Sequence, residues 1–545
     1  MTRKTVNKQN VIIGALTGSA GIFITKFLGL LYLVPFNEMA QGDSYFYGNA
    51  YQIYNYALNI CQAGLPFAIA TVVAKYAARD DYPTIMLVRK IARRLLSVLG
   101  ILSFLVVFLG AGVLSNRIVP AGSDPLDFSY TQTTVRIVSF ALVFVPVLSY
   151  YRGFYQGMKE MKIYSFTQVL EQLIRVGFLL GAGAICVYIM KLARIWAVYM
   201  AVVSTSLSAI GCIIYFLKYD REYMSQIDYD HKAASRYSGR DILLETLGFA
   251  VPYLLSAVIA NASNMFILLM FKDGLQAGGV DGEKIKIYQT MITLNTEKIV
   301  AIPQILLLAF QASLVPHLAS AMARENVREV RDVIHKVILT VNYLAIPLLT
   351  FMIIFSKPIY HFLLGSLNLE EADYILRRML AIQYLYIPSC VLASTLITLR
   401  KRKQYLIMEA VRLLFVLLFF KPFLTRFGIK GYFFCKIIEF TIIIVPSIRL
   451  IHDACRLNMK YMESQLVKIV LSCLPILVIG IAAKLLGFNP YHASRVRSLL
   501  YCLFNGILCM ASYLYVSARV FNQPKELLGL EFTKDGLRNF LSSFR

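Results

Sequence analysis

The chain has 545 residues, 58% of them hydrophobic and 16% charged, with a mean hydropathy of +0.62. A soluble protein carries about 25% charged residues, so the composition excludes a soluble globular fold and indicates an all-α polytopic membrane protein. The net charge of +24 does not point to nucleic acid, because the basic residues are scattered between apolar spans. They read as topology signals and anionic-lipid contacts.

Fourteen apolar spans are predicted, near residues 11–35, 46–74, 95–115, 133–151, 164–190, 195–217, 244–271, 287–318, 336–356, 375–398, 404–424, 430–451, 464–486 and 498–518. Each is long enough for a helix to cross the hydrocarbon core. The first span is too long for a signal-peptide core and reads as a retained helix. Connections on one side carry Arg3, Lys4 and Lys8, then Arg89, Lys90, Arg93 and Arg94, then Arg400 to Lys403. The opposite side is poorer early on: Asn37 to Asp43 has no Lys or Arg. The bias places both termini in the cytoplasm of a plasma-membrane protein, as an even number of spans requires.

The connections are too short to fold as separate domains, so function must sit among the helices. Acids facing the cytoplasm, Asp80, Asp81, Asp220, Glu222, Asp228 and Asp230, are expected to be solvated. Six dispersed histidines and the absence of a phosphate-loop motif argue against an enzyme or an ATPase. Nine cysteines, mostly within apolar segments and with no C-x-x-C pair, support neither disulfides nor a metal site, and no cofactor is expected.

Internal repetition organises the chain. The segment Gly157 to Leu180 in span 5 matches Thr398 to Phe420 in span 11: each opens on a basic turn and then buries a Glu and an Arg. Spans 2 and 8 pair less closely, each with a proline mid-span. The reading is a first lobe of six helices (1–218), a second (219–452), and two further helices with a cytoplasmic tail (453–545), enclosing a central cleft.

The central stretch is Thr293 to Ala319, where Glu297 and Lys298 lie inside an apolar span and Pro303 follows. Charge at that depth costs about 2.5–3.5 kcal/mol per residue on insertion scales, so it faces a partner or a wet cavity. A polar transport pathway and a buried ion pair that locks helices are the two readings. Lys26 in span 1 has no acidic residue within a turn and is placed at a depth similar to Lys298, where two cations would meet one anion. Glu171 with Arg175, Glu409 with Arg412, and Lys436 with Glu439 have helical pair spacing and read either as functional or as self-neutralised. Asn55, Asn59, Gln62, Asn261, Asn264 and Asn295 would hydrogen-bond a headgroup or a neighbouring helix. Pro66 and Pro303 are candidate hinges.

These residues resemble a known family. Lys26 in TKFLGLLY is similar to the first-span signature of MurJ/MviN-type lipid II flippases, and Glu297-Lys298 with Pro303 and AFQASLVPHLA resembles their eighth span. Tyr150 to Gly157 (YYRGFYQG) resembles their loop after span 4. Tyr51-Gln52-Ile53-Tyr54 with Ala63-Gly64-Leu65-Pro66 resembles the Gram-positive branch, the stage V sporulation protein B-like polysaccharide transporters. The resemblance implies the fold of the multidrug/oligosaccharidyl-lipid/polysaccharide exporter superfamily and a polyprenyl-pyrophosphate-linked saccharide as substrate. It also implies membrane lipids and cell-wall synthesis proteins as partners. Lys26 and Lys298 would meet the pyrophosphate, and Glu297, with Glu171 and Glu439 as alternatives, would couple an ion. The chain departs from the family at Tyr32 and at Leu58 or Asn59, where basic residues are expected.

Overall fold

The computed structural model describes residues 25, 28–30, 32–63, 65–225, 235–305, 318 and 327–528. Lys26, Gly64, the acids Asp228 and Asp230, and most of the second half of span 8 lie outside the described residues.

The first compact unit is formed by residues 1–294 with 416–428. It begins with α1 (Leu33–Ala40), α2 (Ser44–Ala63) and α3 (Leu65–Ala77). Then come α4 (Tyr82–Ile118), α5 (Pro125–Ser139), α6 (Ala141–Gly157), α7 (Met161–Ala184) and α8 (Ile195–Ser225). It closes with α9 (Gly239–Ala277) and α10 (Gly282–Thr290). The second unit is formed by residues 295–415 and 429–545. It contains a helical stretch at 296–305, α11 (Val327–Ile354), α12 (Ser356–Leu364) and α13 (Leu369–Thr398). The helix α14 (Arg402–Phe427) is divided between the units, and α15 (Ile429–Cys455), α16 (Met459–Ser472), α17 (Leu474–Leu485) and α18 (Arg495–Arg519) follow. Among the described residues, nine helical segments are long and apolar enough to cross a membrane.

Local chemistry explains the helix starts. Asp81 caps α4 by accepting from the Thr84 amide at 3.1 Å, with Pro83 in the first turn. Ser238 and Asp241 form a reciprocal capping box at the start of α9. Pro66 of span 2 is helical in α3, and Gly64 just before it lies outside the described residues.

Close approach is made by small residues. A Cβ on Gly153 would lie 2.7 Å from the Pro66 carbonyl oxygen, and one on Gly157 would lie 2.8 Å from that of Ala70. This G-x-x-x-G pair lets α6 pack directly on α3. Gly274 and Gly278 repeat the device, seating Leu424 and Thr425 of α14 against α9. The helix α9 also packs along α2, α3 and α4, so the first unit runs on past residue 218.

Candidate functional site

The stretch YYRGFYQG, expected as a loop, is the last turns of α6. Its Arg152 points across to α7, where Nη2 donates to Glu171 Oε2 at 2.8 Å and to the Thr167 carbonyl at 3.0 Å. The same carboxylate accepts from Arg175 Nη2 through Oε1 at 2.5 Å, one helical turn away. Glu171 is thus shared between two guanidinium groups. A second guanidinium enters, and the trio carries a formal charge of +1. All three side chains are mostly buried, at 12%, 14% and 13% exposure for Arg152, Glu171 and Arg175.

They line a cavity of about 210 Å³ within the first unit, with Tyr51 and Tyr54 of α2 and Gln168 and Gln172 of α7 on its walls. Among the described residues, Arg152 Nε, Arg175 Nε and Gln168 Oε1 are buried without a protein hydrogen-bond partner. Leaving such a group unsatisfied costs about 1–3 kcal/mol.

The asparagines separate. Asn55 is half-buried on α2, and Asn59 is exposed and donates to Asn261 Oδ1 at 3.2 Å. Asn261 in turn donates to the Ala257 carbonyl at 2.8 Å. In the second unit, buried Asn295 donates to the Tyr360 hydroxyl at 3.1 Å, and Gln304 donates to Gln383 at 2.9 Å. Those two bonds hold the stretch 296–305, which presents half-buried Glu297 and Lys298 and buried Pro303. The Glu297 carboxylate lies within electrostatic reach of Tyr386 and Tyr432.

Just before this stretch, Met291–Asn295 is a π-turn, which the sequence did not signal. The Thr293 carbonyl accepts from Gln52 Nε2 at 3.1 Å, so the widened turn is supported from α2. The chain passes from the first unit to the second within these residues, at Leu294 and Asn295. The remaining predicted pairs form within the second unit. Arg412 lies 2.6 Å from Glu409, and Lys436 lies 3.3 Å from Glu439, which is 1% exposed.

One expectation is corrected. Asp220 is not a solvated acid. It pairs with Arg89 and accepts from the Tyr155 hydroxyl at 2.7 Å, while Arg89 Nε donates to Tyr150 at 2.8 Å. Asp81 is likewise engaged, as the cap of α4. Outside the spans, His361 on α12 faces Ser498 through Nδ1 at 2.8 Å. Burial and the nearby Arg495 charge hold its pKa below the ordinary imidazole value.

With nine described helical segments long and apolar enough to cross a membrane, and charged side chains enclosed among the helices, the chain is a multi-pass membrane protein. A solved structure described as lipid II flippase MurJ in an inward closed conformation matches 93% of this chain and 99% of its own, with a TM-score of 0.67 and 13% identity. An inward-facing multidrug resistance MATE family transporter of the MOP superfamily matches 82% of this chain and 99% of its own, with a TM-score of 0.59 and 13% identity. At those identities the likeness is one of fold.

The family described as polysaccharide biosynthesis protein matches residues 11–322, more than half of the chain, and the chain belongs to that family. Its relatives include lipid II flippase MurJ of Bacillus subtilis (strain 168), 29% identical over 376 residues, or 66% of this chain and 67% of that one. Stage V sporulation protein B of the same organism is 24% identical over 339 residues, 59% of this chain and 61% of that one.

Proposed function

We propose that this protein is a flippase that carries a polyprenyl-pyrophosphate-linked cell-wall precursor, with lipid II as the leading cargo, from the inner to the outer leaflet. The single observation that carries this reading is family membership, joined to an alignment with a lipid II flippase over two thirds of the chain. The charge pattern agrees with it physically. Taking a diphosphate through hydrocarbon is prohibitive without counter-charge, which membrane-depth cations supply while the polyprenyl tail stays in lipid.

In this reading fourteen helices form two six-helix lobes, 1–218 and 219–452, with two further helices and a cytoplasmic tail in 453–545, and both termini are cytoplasmic. The lobes rock about their interface in alternating access, with Pro66 and Pro303 allowing bending. Lys26, Lys298 and Arg175 meet the pyrophosphate, and Asn55, Asn59, Asn261 and Asn295 meet the saccharide. Glu297, with Glu171 and Glu439, is the acid set for ion coupling, and cell-wall synthesis proteins are partners. A multidrug exporter is disfavoured because its mostly cationic substrates would call for acidic, not basic, cavity residues.

A second cargo, another lipid-linked polysaccharide or a teichoic or capsular repeat unit, is favoured by one specific observation. Tyr32 and Leu58 or Asn59 stand where basic residues are expected in lipid II flippases. The test is Lys298→Ala in a strain that depends on this protein. Membrane insertion should be intact and flipping lost; normal complementation by the variant would overturn the assignment.

A further inference from the structure

We propose that the Arg152–Glu171–Arg175 cavity of the first unit is an oxyanion site, and that Glu171 is the occupant a phosphate or diphosphate group displaces. Each guanidinium has five N–H groups in a rigid fork suited to phosphate. Glu171 engages one nitrogen of each, through different carboxylate oxygens. The Nε–H of each arginine is buried and meets no protein acceptor among the described residues.

One carboxylate cannot satisfy two forks, and one negative charge cannot balance two positive ones. A group bearing more charge and more acceptor oxygens than a carboxylate satisfies both deficits. The internal acid keeps the arginines compatible with an apolar surrounding while the site holds no anion, since two uncompensated cations there would be far more costly. Tyr51, Tyr54, Gln168 and Gln172 give the walls further polar groups. For the chemistry of the anion this inference needs nothing beyond the cavity; only the polyprenyl-linked source rests on the flippase reading.

The experiment uses the full chain, purified in detergent and in lipid nanodiscs, with inorganic pyrophosphate as the probe and calorimetry as the readout. The native protein should bind, and Glu171→Gln should bind at least about tenfold tighter, because the internal competitor has lost its charge. Arg175→Gln should bind at least about tenfold weaker. Removal of a merely structural acid would lower the melting temperature without tightening anion binding, so the sign of the Glu171→Gln effect decides.

The double variant Arg152→Gln/Glu171→Gln keeps the native net charge and guards against misfolding of the single variants. It should bind at least about tenfold more weakly than Glu171→Gln. Folded Glu171→Gln that binds no tighter than native, or a double variant equal to Glu171→Gln, overturns the proposal. Competition by polyprenyl diphosphate in nanodiscs assigns the lipid-linked source, and pyrophosphate binding without that competition assigns a soluble phosphate instead. Lipid II exposure in cells, scored separately, shows whether the flippase reading stands or falls with this site.

Discussion

Asp220 offers the sharpest energetic prediction. It shares a buried cluster with Arg89, Tyr150 and Tyr155, and the Arg89 and Asp220 side chains are 17% and 13% exposed. Asp220→Ala leaves the Arg89 guanidinium with the Tyr150 hydroxyl and the face of the Phe154 ring, and deprives Tyr155 of its acceptor. Breaking a buried pair from one side costs about 3–5 kcal/mol; the residual exposure places this one near the lower end, about 3 kcal/mol. Arg89→Met should cost a similar amount. The double variant Arg89→Met/Asp220→Leu removes both charges at once and should recover most of the loss, giving a coupling energy of at least about 2 kcal/mol. The assay is equilibrium unfolding in mixed SDS micelles, followed by labelling of Cys212 and Cys435, both buried in the folded chain. Single variants that each cost less than about 1 kcal/mol, or a double variant whose loss is the sum of the singles, would refute the reasoning.

Four further predictions rest on packing and charge. Gly153→Ala places a Cβ 2.7 Å from the Pro66 carbonyl and should destabilise by about 1–3 kcal/mol. Gly177→Ala in α7 meets nothing within 4 Å and should stabilise by about 0.4–1 kcal/mol in the same unfolding assay. Lys436→Met strands Glu439 at 1% exposure and should be strongly destabilising, whereas Lys436→Met/Glu439→Gln should regain most of the loss. His361 is held below its ordinary pKa in the folded state, so above about pH 6.5 it is neutral folded or unfolded and contributes no pH dependence. As pH falls below that value, the unfolded chain takes up a proton that the folded one refuses, and stability declines. Melting temperatures between pH 7.5 and 5.5 should show this decline, and His361→Gln should lessen it, the remainder coming from His335, whose pKa burial also lowers.

Much of the fold is legible because apolar runs long enough to span a bilayer announce themselves. The pairs Glu409–Arg412, Lys436–Glu439 and Glu171–Arg175 are legible for a related reason: helical spacing brings residues three or four apart together. What sequence spacing cannot carry is packing between helices. Arg152 reaches Glu171 across 19 residues because α6 and α7 lie side by side, and Arg89 reaches Asp220 across 131. Charge composition gave Asp220 the appearance of a solvated loop acid, when α8 in fact continues through it. The π-turn at Met291–Asn295 has no composition signature, since Met, Ile, Thr, Leu and Asn all occur in ordinary helix.

Cargo and direction of transport are read by one measurement. The protein is depleted in its host, and lipid II on the outer leaflet and in the cytoplasmic leaflet is quantified as depletion proceeds. The account predicts that outward-exposed lipid II falls while the inner pool rises, and that native protein but not Lys298→Ala restores both. Unchanged exposure of lipid II together with unchanged levels of every other lipid-linked surface polymer would contradict it.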